Sequence, residues 1–361
     1  MKRLAMLPVF VFLGMGQRAM PQEASKGIDI RATITAESVA SNALSNAPRS
    51  GSPIILATQS VVYPTVKFND NWFVTGAIQF ATRPYFYEDL STAGYGAKGN
   101  LLQATLNYSR VSDRGSLVVR AGEMPTAFGS FMLRYDETSN PLVDVPPGYG
   151  YYYSPVSFLG VTGVQLDGSR GKFDGRVQFA NSSPANPRSV FAKDQYGNWA
   201  GGAGYTVRQG FRVGVSGYRG PYLDRQNAFF LPGEANPSTL PAHGLGMDAK
   251  WAHGHTWAFA ELQKFVMPYT QLPDFRESTG YVEVRQDISA RWFAAARFGY
   301  TSNSVSAKLH SIESGIAFRT NRYQLIKVSY EEQRHQGSDA APNHILGIQF
   351  VTFLDRALLS R

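Results

Sequence analysis

The chain has 361 residues, of which 43% are hydrophobic, 13% aromatic and 17% charged, with a formal charge of +8 and no cysteine. Mean hydropathy is −0.23, and no stretch after residue 24 reaches the ~18 apolar residues of a membrane helix, which excludes a helical membrane protein. The 19 Tyr, 23 Phe and 5 Trp exclude a chain that buries nothing, and the lack of cysteine excludes disulfide stabilisation.

Residues 1–24 read as a secretory signal peptide. Lys2 and Arg3 supply its charged start, 4–15 an apolar run too short to span a bilayer, and Gln17, Arg18, Gln22 and Glu23 a polar close. From residue 25 onward the pattern has period two. Leu102, Ala104, Leu106 and Tyr108 interleave with Gln103, Thr105 and Asn107, and Val282 and Val284 with Glu283 and Arg285. At helical spacing these segments would scatter charge around the whole cylinder, so strands are expected. About 16 strands are predicted, each near the ~9–11 residues that a tilted strand needs to cross hydrocarbon. In chain order they centre on 28–36, 61–68, 72–81, 101–110, 116–122, 161–167, 173–180 and 199–207. The second half continues with 211–218, 245–251, 256–266, 280–286, 292–300, 309–319, 323–331 and 345–353.

The connections alternate in length. Tight turns such as 69–71, 112–115, 168–171, 208–210, 253–254, 287–290 and 320–322 are built from Gly, Asn, Asp or Ser. Between them lie longer, polar, Pro-rich connections, of which 123–160 is the longest. Short turns at one rim and long loops at the other are the plan of a bacterial outer-membrane barrel. The expected fold is therefore all-β, a transmembrane antiparallel β-barrel over 25–361 with short periplasmic turns and long external loops. Trp72, Trp251, Trp257 and Trp292 each have at most two residues between them and a short turn, as an aromatic belt at the lipid interface requires.

With the apolar residues facing lipid, the alternation turns Arg31, Lys67, Arg120, Arg176, Arg212, Lys250, Arg285, Arg297 and Lys327 inward. It also turns Asp29, Asp248, Glu261, Glu283, Glu313 and Glu331 inward. So many ionised groups need water around them, and about 16 strands leave room for it. The connection 123–160 carries Phe128, Phe131 and Tyr149 to Tyr153. Burying such rings is worth roughly 1.5–3 kcal/mol each, which favours folding the loop into the lumen. There it would narrow the bore, setting Arg134 against Asp136, Glu137 and Asp144, with Glu123 at its mouth.

No catalytic pattern accompanies these features. Gly94–Gly99 spells G-x-G-x-x-G but leads into a strand rather than a helix. The histidines lack further ligands at metal spacing, and neither G-x-S-x-G nor H-E-x-x-H occurs. No cofactor, metal, nucleic-acid partner or enzymatic activity is expected. Residues 117–129, LVVRAGEMPTAFG, resemble the strand-into-loop segment of the phosphate-selective porins O and P and their relatives, with Ala127 where that pattern usually has Pro. The resemblance implies a 16-stranded homotrimeric porin whose third loop constricts each pore. It does not extend to the arginine ladder and lysine cluster behind phosphate selectivity. A second departure is the stretch from Asp355 to Arg361 after Phe353, where porins usually end on an aromatic residue.

The expected function is passive diffusion of small hydrophilic solutes across the outer membrane, with mild anion preference from the basic excess. The alternative is a barrel that transports nothing: an adhesin, a structural anchor or a hydrolase.

Overall fold

In hydrocarbon, unpaired backbone N–H and C=O groups cost several kcal/mol each, so a strand protein must close its sheet on itself. The computed structural model of the chain describes residues 26–42, 54–83, 96–150, 155–182, 197–221, 240–305, 308–336 and 341–360. Within them the first strands are Gly27–Ser41 (β1), Ile54–Lys67 (β2), Trp72–Arg83 (β3), Gly96–Ser112 (β4) and Gly115–Met124 (β5). Two residue pairs follow inside the third loop, Tyr149–Gly150 (β6) and Val156–Ser157 (β7). Next come Val161–Arg170 (β8), Phe173–Ala180 (β9), Asn198–Arg208 (β10), Phe211–Pro221 (β11), Pro241–His253 (β12) and Thr256–Met267 (β13). The last are Phe275–Asp287 (β14), Trp292–Asn303 (β15), Lys308–Asn321 (β16), Gln324–Gln336 (β17) and Asn343–Ser360 (β18).

Sixteen of these form one closed antiparallel barrel, and β6 and β7 pair by themselves. Every barrel strand pairs with its sequence neighbour, with β5 meeting β8 across the third loop and β1 meeting β18 to close the ring. The closing ladder runs from Gly27 opposite Ser360 to Ser41 opposite Ile345. Residues 354–360 thus continue the last strand past Phe353 and complete the seam. All sixteen expected strands occur, most of them longer than the alternation marks.

The two faces are sorted as in a membrane barrel and opposite to a soluble protein. Leu245, Met247 and Leu262 are 64–68% exposed on the outer wall, whereas Glu283, Lys327 and Gln349 on the inner wall are 1% exposed or less. An apolar outer wall of this kind is stable only against lipid. The closed barrel and its greasy surface place the chain in the bacterial outer membrane.

Aromatic pairs mark the interface. Trp72 packs on Tyr108 at 5.1 Å between centroids, Phe173 on Tyr205 at 4.9 Å and Trp292 on Phe318 at 4.6 Å, all beside the short turns. Trp251 keeps the outward register opposite Phe211, although both also border the turn end of the lumen cavity. Trp257 departs from the expected belt. It shares its side of β13 with Phe259 and Glu261, stands opposite Arg285 and lines the lumen cavity. At the other rim Trp199 packs on Phe179 at 4.8 Å, a partner that proximity to short turns does not reveal. The segment 1–24, expected to be a signal peptide, and the tyrosines 151–153 lie outside the described residues.

Val282→Arg would place a charge at mid-strand on the lipid face. It should cost about 2–4 kcal/mol, read as a lower urea midpoint for unfolding from lipid vesicles.

Candidate functional site

The third loop, between β5 and β8, is held by the inner wall along its length. At its root, Gln178 accepts a hydrogen bond from Ala127 N at 3.0 Å and donates to Pro125 O at 3.0 Å. Arg176 donates to Ala127 O at 2.6 Å and to Gly129 O at 2.5 Å. Gly129 has φ +78°, and a Cβ there would lie 2.4 Å from the Tyr149 hydroxyl, so the bend requires glycine. Glu261 then accepts from Ser130 N and from Tyr149 OH, both at 2.8 Å.

Around these polar contacts the rings of Phe128, Phe131, Tyr149 and Phe158 pack with Phe265 and Tyr281 of the wall. Phe131 lies 5.0 Å from Tyr149, and Phe128 lies 5.4 Å from Phe265. The apolar rings that make an external position unfavourable are the ones that bury.

At the far end of the loop, charge replaces grease. Lys327 Nζ donates to the carbonyls of Glu137, Asn140 and Leu142 at 3.0–3.1 Å. Arg297 lies between Glu283 at 2.5 Å and Glu313 at 3.0 Å, and donates to Asn140 Oδ1 and Asp144 O. Glu313 in turn accepts from Val143 N and Asp144 N. In the low-dielectric interior such contacts are strong only when every group is satisfied.

The expected pore charges therefore divide by role. Arg176, Arg297 and Lys327 tie down the loop, as do Glu137 and Asp144 on the loop itself; Arg297 and Lys327 are at most 2% exposed. These two do not face the bore. The expected setting of Arg134 against the loop acids also gives way. Its guanidinium meets Glu283 at 3.3 Å and Tyr281 OH at 2.9 Å, and it stacks 4.0 Å from the Phe259 centroid. Burial would lower its pKa, but Tyr281 and Glu283 outweigh burial and hold it above the ordinary arginine value.

Asp136 accepts from Tyr63 OH at 2.9 Å and Thr33 Oγ1 at 3.4 Å, so the middle of the loop reaches β1 and β2. Glu123 sits at the loop's root, bonded by Thr162, and neither it nor Lys67 lines the cavity.

Between the loop and the periplasmic turns lies a cavity of about 1280 Å³. Of the expected residues, Arg31, Arg120, Arg134, Arg176, Arg212 and Arg285 line it, with Lys250. Arg319 and Arg322, which the alternation did not single out, bring the cations to nine against Asp136, Asp174 and Asp355. Carboxylates offset several of them: Arg31 meets Asp29 at 3.1 Å, Arg120 meets Asp167 at 3.2 Å, and Arg212 meets Asp174 at 2.5 Å and Asp248 at 2.8 Å. Arg319 and Arg322 make no ion pair among the described residues; Arg322 lies 4.4 Å over Tyr323. Arg322 stands in the β16–β17 turn, where alternation ends; Arg319 lies in β16 opposite Leu325 and in phase with Glu313, so the spacing carried its inward face although it was not singled out.

Lys327→Met should leave three loop carbonyls without a donor, at about 1–3 kcal/mol each. Trypsin should then cut the folded protein at Arg134. Arg297→Ala should cost about 3–5 kcal/mol by stranding Glu313 and leaving Glu283 to Arg134 alone, measured as a lower midpoint of heat unfolding in detergent.

No family model and no curated protein matches the chain. Solved structures do match its fold. OmpF of Salmonella typhi, in complex with daunomycin, superposes with a TM-score of 0.63 at 10% identity, over 91% of this chain and 98% of that one. OmpT, an outer membrane protein of Vibrio cholerae, gives 0.59 at 10% identity, over 93% and 100%. An anion-selective porin from Comamonas acidovorans gives 0.56 at 10% identity, over 92% and 100%. The chain has the fold of the bacterial outer-membrane porins.

Proposed function

We propose that the chain is a diffusion porin, passing small hydrophilic solutes through a lumen narrowed by the third loop, with a mild preference for anions. The observation that carries this reading is the cavity under the loop. It is lined by nine cations and three carboxylates, and it extends to the periplasmic turns. Fixed charge at a narrow place raises the local concentration of the opposite ion. Because most of the cations already have carboxylate neighbours, the bias is small.

The loop reaches β1 and β2 through Asp136, which leaves a restricted path and favours small solutes. The likeness to an anion-selective porin supports the sign of the preference. Assembly as a homotrimer follows the same reading, since a trimer form of Vibrio cholerae OmpT is among the similar structures. Phosphate selectivity is not part of the proposal, and neither is catalysis. Residues 1–24 act in it as the export signal.

The refolded protein in planar bilayers should give stepwise currents, and its reversal potential in a KCl gradient should lie on the chloride side. Arg319→Gln with Arg322→Gln should move that potential toward potassium. Absence of both current and liposome swelling would overturn the proposal in favour of a barrel that transports nothing. Clear cation preference would overturn the charge assignment alone.

A further inference from the structure

The inner face of a wet barrel calls for polar side chains, yet near the periplasmic end of β15–β18 it carries an apolar patch. Phe293, Ala317, Leu325 and Val351 pack there as one buried cluster. Register makes the patch continuous, since Phe293 stands opposite Ala317 and Leu325 opposite Val351. Leu325, Val351 and Phe353 line the cavity.

Two guanidinium groups lie over the Phe293 ring, Arg285 at 4.1 Å and Arg319 at 5.0 Å from its centroid. Arg285 is oriented by Asp287 at 2.7 Å. Arg319 donates only a long hydrogen bond, 3.4 Å, to Ala290 O and has no carboxylate at ion-pair distance among the described residues. Beside Arg285, on the neighbouring strand, Trp257 is 44% exposed and lines the same cavity. None of these side chains holds the loop, which is tied by Arg176, Arg297 and Lys327.

We propose that the edge of this patch, formed by Arg285, Arg319 and Trp257 where they line the cavity, is a binding subsite for aromatic carboxylates, and that the pore retains such solutes on their way through. It rests on the diffusion reading for the route by which they arrive. The ring of the solute lies on Trp257, the exposed ring opposite Arg285, exchanging water for aromatic surface. Its carboxylate accepts hydrogen bonds from Arg319 and Arg285, whose planar forks suit two oxygens side by side. Inorganic anions fit less well. They would lose hydration beside Trp257 without gaining donors on that side.

The test is a titration of sodium benzoate into the full chain folded in detergent, followed by tryptophan fluorescence excited at the red edge, where benzoate is transparent. A saturable change is expected, abolished in Trp257→Phe and absent with acetate over the same range. Arg285→Gln combined with Arg319→Gln should raise the half-saturating concentration about tenfold or more, the equivalent of one lost charge-assisted hydrogen bond. Arg319→Lys keeps the charge and removes the fork, so it should weaken binding even if the double variant does not fold.

Equal responses to acetate and benzoate, or an unchanged midpoint in Arg319→Lys, would overturn the subsite. Benzoate binding without current in bilayers would remove the diffusion reading and leave the subsite standing. Current without a benzoate response would do the reverse.

Discussion

Every backbone amide in the bilayer core must find a partner within the protein, and this one requirement organises the molecule. It rules out an open sheet, so β18 must return to β1, and the last strand pairs with the first as far as Ser360. A closed sheet has only two faces, one in lipid and one around the bore, and the side-chain period of two divides them. Once the outer face is given to Leu, Val, Ile and Met, most of the charge of the strands goes inside, with exceptions such as Lys264 and Glu332. The interior polarity of this chain is thus a result of closure as much as of any task the bore performs.

A crowded polar interior creates a second problem, how to hold a long loop inside it. The loop contributes rings at one end and peptide groups at the other, and the wall answers each in kind. Phe265 and Tyr281 receive the rings, while Lys327, Arg297 and Glu313 receive carbonyls and amides. Removing either member of such a buried set leaves an unsatisfied charge, so the contacts act mainly by excluding other loop positions. The charges that remain for solutes are those nearer the periplasmic rim.

Much of this was legible in the amino-acid order. Alternation located every barrel strand, because half-buried β-structure in lipid gives the clearest period-two signal. Strand ends at the outer rim were less visible. Residues 54–60 of β2 and 96–100 of β4 extend past the expected ends, because the run Ile-Ile-Leu-Ala at 54–57 and Gly-Ala-Lys-Gly-Asn at 96–100 do not alternate apolar with polar residues. The phase of the alternation turned Arg285 and Arg297 inward alike, yet one faces the cavity and the other is enclosed by the loop. That difference depends on where a segment more than a hundred residues earlier comes to rest, and no local spacing encodes it. Trp257 is the instructive case: nearness to a turn suggested a lipid-facing ring, but its even spacing from Glu261 carried the right face all along.

The third loop is fastened at its root by Arg176 and Gln178 and at its far end by Lys327 and Arg297. A chain moored on both banks, with Arg134 tied to Glu283 and Tyr281 and Asp136 to Tyr63 in between, cannot swing aside like a door. The loop is thus a fixed crossbar, and the opening beside it keeps one width instead of switching between open and shut.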